Sequence, residues 1–188
     1  MQIILQPILV QESKDSISIL ENLLAEEFNA SVSTASPIKG MPLQLFDKHR
    51  EQWKSDKILQ WLLINYRPNK STTKILAICE LDAYSNELNF VFGEAYIDGS
   101  ISAIYLPRLR QEFYGLKTDN YLFHQRMVKE AVHELGHAFG LSHCNNQMCV
   151  MHFSNSLHDT DIKQKSFCDK CRTLLPVNNN IYNADLDH

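Results

Sequence analysis

The spacing of three histidines constrains this chain of 188 residues more than any other feature of its sequence. His133 and His137 lie in a stretch whose apolar residues recur with helical periodicity. Four residues on an α-helix turn by about 400°, so the two imidazoles should point the same way, one turn apart. Gly140 can adopt the left-handed conformation that ends a helix and reverses the chain. We therefore predict that His143 returns towards the other two histidines.

Three neutral imidazoles predict a catalytic rather than a structural zinc site, because they leave one tetrahedral position open for water. We predict His133, His137 and His143 as the ligands of this ion. Glu134 is rotated by about 100° from His133 around the helix, so it need not bind the metal. It is predicted to be the general base that takes a proton from the activated water. The alternative is that the histidines are ordinary surface or core-edge residues, but the helix, the glycine and the third histidine together disfavour it.

Four of the five cysteines lie in one short window: Cys144, Cys149, Cys168 and Cys171. The gaps within each pair suit chelating loops, and four thiolates form a closed, structural zinc site. Disulfide pairing is the alternative. The N-terminus has no secretory pattern, so we expect a cytoplasmic protein with reduced thiols, which favours metal binding. Cys79 lies apart in an apolar run and is predicted to be a small buried residue of a strand.

Met151 follows Cys149 by two residues. A methionine in a loop usually fills a packing gap. This one comes shortly after the third histidine, where we expect a floor for the metal site. Cys144 directly follows His143, so an ion bound by the cysteines should also hold His143 in place.

The rest of the chain predicts an α/β scaffold. Its length suits one domain with a real hydrophobic core. Strands alternate with amphipathic helices, which suggests some parallel pairing. The predicted strands cover residues 3–10, 30–36, 74–79, 88–95 and 102–106; the predicted helices cover 13–28, 47–66 and a long stretch from the capping residues 118–120 to Gly140. We divide the single domain 1–188 into a scaffold (1–117), a zinc-motif helix and turn (118–143), a Met-turn and cysteine region (144–175) and a tail (176–188).

The composition argues against several classes of partner. The formal charge is -4, from 18 basic and 22 acidic residues, which does not favour binding to nucleic acid or to an anionic membrane. No apolar run approaches the roughly 18 residues that cross a bilayer. A basic group around the last two cysteines could suggest a zinc-finger-like binder of nucleic acid, but we interpret it as a solvated surface; its members are Lys163, Lys165, Lys170 and Arg172. We expect a monomer.

These motifs resemble a known family. The run from His133 to His143 resembles the extended zinc motif of the metzincin metallopeptidases. The cysteines, with Met151 between the two pairs, resemble the archaemetzincin branch of that clan. Residues 88–95 and 105–109 are also similar to this family, so the resemblance extends over about half of the chain.

The resemblance implies a metzincin-like fold, with a mixed twisted β-sheet, two long helices and a Cys/His-rich C-terminal zinc subdomain. The second long helix would carry the zinc motif, and Met151 would lie in the turn beneath the catalytic zinc. The four cysteines would bind a second zinc, which gives two ions per chain. An edge strand near residues 101–106 would pair with an extended peptide substrate.

The predicted function is therefore that of a zinc-dependent peptidase. The alternative is a non-catalytic peptide-binding module that keeps both zinc sites. It is motivated by the lack of an identifiable partner for the oxyanion. Glu134 counts against it, because peptide binding alone does not require that carboxylate.

Overall fold

A mixed five-stranded sheet forms the scaffold of the molecule. The computed structural model describes residues 1–10, 14–85 and 88–176. In this part of the chain the strand order is β2-β1-β5-β8-β7. The first four strands of this order run parallel, and β7 pairs antiparallel with β8. The bounds are Gln2–Ile8 for β1, Ser31–Thr34 for β2, Thr73–Cys79 for β5, Gly93–Ala95 for β7 and Ile101–Tyr105 for β8.

Helices cover both faces of this sheet, which explains the nearly continuous apolar sequence of its central strand β5. On one face, Leu76 and Ile78 join the core formed with α1 (Lys14–Phe28) and α3 (Asn120–Ala138). On the other face, Cys79 joins the core formed with α2 (Ser55–Tyr66). Cys79 is fully buried in the strand, as predicted. The predicted mixed α/β fold with parallel pairing is confirmed.

The region before α2 differs from the prediction. A helix was expected over residues 47–66, but α2 begins only at Ser55. The side chain of Asp47 accepts hydrogen bonds from the backbone N–H groups of His49 and Arg50, which favours a turn over a helix. Residues around this turn form a small second sheet in the order β3-β4-β6. Its strands are Phe46–Asp47, Gln52–Lys54 and Ala83–Tyr84.

The strand expected over residues 88–95 is also shorter than predicted. Leu88 forms an isolated bridge with Ser85, and the N–H of Val91 donates to Ala83. Only residues 93–95 join the main sheet. This segment changes partner along its length, so no single strand forms.

The expected position of the edge strand is wrong. The strand β8 lies inside the sheet, between β5 and β7. The preceding segment turns through residues 97–100 and adds β7 antiparallel on the outside of β8. The edge beside the zinc-motif helix is therefore β7.

After α3 the chain forms two short helices, α4 (Leu157–Ile162) and α5 (Asp169–Leu174), with irregular segments between them. An ion pair of 2.7 Å between Arg172 and Glu27 joins this region to α1. None of the helices in the described ranges is both long and apolar enough to cross a lipid bilayer. Residues 177–188 of the predicted tail, and Ser13 at the predicted start of the first helix, lie outside the described residues.

Candidate metal centres and active site

The helix α3 holds two of the predicted ligands in fixed positions. Its N-terminus is capped by Asp119, whose side chain accepts a hydrogen bond of 2.9 Å from the N–H of Leu122. The last turns of the helix are buried, and His133 and His137 are only 5% and 7% exposed. Their Nε2 atoms lie 3.1 Å apart. The two imidazoles thus point the same way, as the helical spacing predicts.

Backbone carbonyls determine the tautomers of both rings. The Nδ1 atom of His133 lies 2.7 Å from the carbonyl oxygen of Val150, and Nδ1 of His137 lies 2.7 Å from that of Leu141. A carbonyl oxygen only accepts, so each Nδ1 carries the hydrogen and donates it. Each Nε2 then presents a lone pair towards the other. Two facing lone pairs at 3.1 Å repel unless a cation lies between them, so this donor set fits a metal ion.

Burial keeps these imidazoles neutral. It lowers the pKa of His137 to about 4, and it holds the pKa of His133 well below its ordinary value. Burial also lowers the pKa of the more exposed His143. Neutral imidazole is the form that binds a metal, so all three residues are ready to bind at neutral pH.

Gly140 turns the chain as predicted. Its φ is +95°, and its N–H donates to the carbonyl of His137 at the end of the helix. The ring of His143 then lies 4.7 Å from that of His137 and 5.4 Å from that of His133, measured between centroids. Donor atoms of the three residues lie within 4.8 Å of one another. The structure therefore brings together the three histidines that the sequence singled out.

Glu134 lies against the backbone of the edge strand. A Cβ atom at Gly93 in β7 would lie 2.5 Å from Oε1 and 2.7 Å from Cδ of this side chain. Glu134 is 4% exposed. Burial raises the pKa of Glu134 well above its ordinary value, and the nearby Glu130 raises it further. The carboxyl group and the histidines line a cleft of about 720 Å³.

A buried ion pair beside the cleft was missed by the sequence analysis. The fully buried Nζ of Lys163 lies 3.0 Å from Oε1 of Glu130, and Thr160 donates to the same oxygen. Lys163 also donates to the carbonyl of His152, at 3.5 Å. The interpretation of Lys163 as a solvated surface residue is therefore wrong. The available signal was Glu130 itself: it lies one turn before Glu134 on the buried helix face, where a charge requires a partner.

Met151 packs directly against the zinc-motif helix. It is fully buried, and a Cβ atom at Gly136 would meet its Sδ and lie 3.2 Å from its Cε. The carbonyl of Met151 accepts a hydrogen bond of 2.9 Å from the N–H of Cys144. The methionine thus lies between α3 and the first cysteine, next to the turn of helix that carries His137.

The four clustered cysteines form a second candidate centre. Their Sγ atoms lie within 4.8 Å of one another, and no disulfide joins them; the members are Cys144, Cys149, Cys168 and Cys171. The Sγ atoms of Cys144 and Cys168 are 3.9 Å apart. That separation is too long for a disulfide and close to the edge of about 3.8 Å expected for a zinc–thiolate tetrahedron with bonds of about 2.3 Å.

Backbone N–H groups support negative charge on these sulfurs. The N–H of Cys168 donates to Sγ of Cys149, and that of Asn146 donates to Sγ of Cys144. A backbone hydrogen bond from Cys171 contributes most to lowering the pKa of Cys168 to about 7. Burial instead raises the pKa of Cys171 in the metal-free chain. The donor set fits a metal that binds thiolates.

Comparisons with known proteins agree with this geometry. Residues 43–176 match the sequence model of peptidase family M54. The archaemetzincin of Methanocaldococcus jannaschii is 40% identical over 172 residues, which are 91% of this chain and 90% of the relative.

Two solved structures share the fold. The archaemetzincin of Archaeoglobus fulgidus, crystallised with malonate, is 36% identical, with a TM-score of 0.78 over 93% of this chain and 99% of that one. A zinc-dependent peptidase from Methanocorpusculum labreanum is 30% identical, with a TM-score of 0.81 over 93% of this chain and 100% of its own. The chain therefore belongs to the archaemetzincins, peptidase family M54, which are zinc metallopeptidases.

Proposed function

We propose that this chain hydrolyses peptide bonds at the cleft, with His133, His137 and His143 holding a catalytic zinc ion and Glu134 acting as the general base. One observation carries the proposal. Two imidazole lone pairs converge at 3.1 Å beside a buried carboxyl group, and both features face an open cleft. Peptide substrate follows from membership of a peptidase family.

The proton transfers fall to Glu134. A bound zinc ion would supply the Lewis acidity that activates a water molecule and polarises the scissile carbonyl. Glu134 takes the proton of that water and returns it to the leaving amine.

The edge strand β7 is placed to align the peptide. The carbonyl of Phe92 accepts a hydrogen bond from the N–H of Tyr105, and the N–H of Tyr96 donates to the carbonyl of Ile101. The backbone groups of these two residues, four positions apart, are therefore directed towards β8. The pattern of an antiparallel ladder then directs the backbone groups of Gly93 and Ala95 outwards. Both residues line the cleft, and an extended peptide would add there as a further strand.

The cysteine centre is proposed to hold a structural zinc ion. Because Cys144 adjoins His143, a zinc ion bound to Sγ of Cys144 would also hold His143, the exposed third ligand of the catalytic site. In this arrangement residues 1–117 form the scaffold, 118–143 carry the catalytic centre, and 144–175 carry Met151 and the second centre.

Metal analysis of the purified chain tests the two centres. We expect two zinc ions per chain, one in a His137→Ala variant and one in a Cys168→Ser variant. Removal of zinc by a chelator should abolish hydrolysis of a fluorogenic peptide, and added zinc should restore it. A single ion in the wild-type chain would mean that one centre has been misassigned.

The alternative is a peptide-binding module that keeps both ions. The same cleft and edge strand support it. It predicts that the zinc-loaded chain binds peptides without cutting them. Cleavage at a rate that depends on Glu134 would exclude this module.

A further inference from the structure

A second cavity opens beside the catalytic cleft. It has a volume of about 480 Å³. Phe90 and Asn155 line both cavities, so the two cavities adjoin at these side chains, which we call the neck. Phe90 precedes the edge strand β7 by three residues. A peptide that pairs with β7 and extends past Phe90 would therefore reach the second cavity.

The wall surface of this second cavity is mostly apolar. Its apolar members include Phe90, Tyr114, Leu116 and Leu157. Tyr114 and Leu116 are 45% and 58% exposed, although they are large and apolar. Apolar surface of this kind, next to a binding cleft, gains stability when a ligand covers it.

Three of the five polar side chains at the cavity have hydrogen-bond partners within the protein, and the other two, Asn155 and His158, are exposed at its rim. Nε and Nη2 of Arg126 each donate to Asp161 at 2.7 Å, which compensates the charge of the guanidinium group. Gln111 donates to the carbonyl of Lys117 at 3.4 Å. Ser156 donates to Asp159 at 2.9 Å. The cavity therefore favours an apolar ligand group over a charged one.

The neck and one wall are held in place before any ligand binds. The guanidinium carbon of Arg108 lies 4.5 Å from the centre of the Phe90 ring, and Asp82 fixes that guanidinium through an ion pair. Tyr114 donates to the carbonyl of Arg108 at 3.2 Å. A preformed cavity lowers the entropy cost of binding.

We propose that this second cavity is a substrate subsite that binds a large apolar side chain, best an aromatic one, of the peptide in the catalytic cleft. The proposal rests on the proposed function, because the occupant is the peptidase substrate. None of the three histidines lines this cavity, so we place the recognised residue outside the pair that flanks the cleaved bond. The subsite would select substrates by this residue, in addition to any preference of the cleft for the residues next to the cleaved bond.

Paired peptides test the subsite. Zinc-loaded full-length protein is given extended peptides that differ only by Phe or Ala at one position, scanned along the sequence. At one position outside the cleft, Phe should raise kcat/KM by roughly 10-fold to 100-fold, the effect of burying one large apolar side chain. Leu116→Asp should remove this preference and leave cleavage of the Ala peptide unchanged. Leu63→Asp is the control, since Leu63 is a partly exposed leucine on α2 that lines neither cavity.

Two results would overturn the subsite. One is equal cleavage of the Phe and Ala peptides at every position; the other is a folded Leu116→Asp variant that slows both peptides alike. If the Leu116→Asp variant does not fold, the milder Leu116→Ala variant is used instead, and it should weaken the preference for Phe. Should the wild-type chain cut no peptide, the proposed function fails, and the subsite is tested by binding. Fluorescein-labelled Phe peptide should then bind the zinc-loaded Glu134→Gln chain at least about 10-fold more tightly than its Ala counterpart, and equal affinities would refute it.

Discussion

Replacing Gly93 with alanine should displace the proposed general base. The new methyl group would lie 2.5 Å from Oε1 and 2.7 Å from Cδ of Glu134. Carbon atoms in favourable contact are about 3.5–4.0 Å apart, so one of the two groups must move by about 1 Å. Gly93 is paired with Ile104 in β8, and the methyl group also meets Cγ of Glu134, so a rotation of the carboxyl group alone does not relieve the contact.

The size of the effect follows from this displacement. A reacting group misplaced by about 1 Å costs roughly 100-fold in rate. Overpacking costs about 1–3 kcal/mol of stability, and we expect the lower end because an edge strand can shift. At about 1 kcal/mol, the Tm of a chain of this length should fall by about 2–4 °C. Gly93→Ala should thus lower kcat far more than it lowers stability.

The assay is kcat and KM for a fluorogenic peptide, measured with zinc content and thermal unfolding on the same samples. Zinc content should stay at the wild-type value, because Gly93 touches Glu134 rather than the histidines. Gly40→Ala is the matched control: a Cβ atom there meets nothing within 4 Å. It should be neutral or stabilise the chain by up to about 1 kcal/mol. Wild-type kcat in the Gly93→Ala protein would refute the packing of a catalytic Glu134 against the edge strand.

Three further predictions follow from the same structure. Lys163→Met should destabilise the chain by about 3–5 kcal/mol in urea unfolding, because it leaves the buried carboxylate of Glu130 unpaired. Adding Glu130→Gln to this variant should recover most of the lost stability. Additive effects of the two substitutions would contradict a direct ion pair. Gly140→Ala should cost about 1–2 kcal/mol because φ is +95°, whereas Gly40→Ala should not. In the metal-free chain, burial lowers the folded-state pKa of His137 from 6.5 to about 4, so the unfolded chain binds more protons in this range. The free energy of unfolding should therefore fall as the pH drops from 6.5 to about 4, and His137→Asn should make this dependence shallower.

The features that could be predicted from sequence are those set by local geometry. The helical period places His133 and His137 on one face, and Gly140 supplies the turn that returns His143. The cysteine spacing likewise predicted a cluster that the structure brings together. In each case the arrangement depends on residues that lie a few positions apart in the sequence, either along one helix or within a pair of chelating cysteines.

The features that were missed depend on contacts between distant segments. The edge position of β7 follows from strand order, which the pattern of residues 101–106 does not encode. The turn at Asp47 arises because its side chain competes with the backbone for N–H groups within an otherwise helical pattern. Lys163, directly after α4, is buried because Glu130 of α3 lies opposite it.

The central claim is that Glu134 performs the proton transfers of a zinc-dependent hydrolysis. It is tested most directly by the Glu134→Gln variant, which preserves the shape of the side chain and removes the base. With zinc content equal to that of the wild-type chain, we predict that peptide hydrolysis falls by roughly 100-fold to 10,000-fold, the usual contribution of a general base. Wild-type hydrolysis by the zinc-loaded variant would contradict the account.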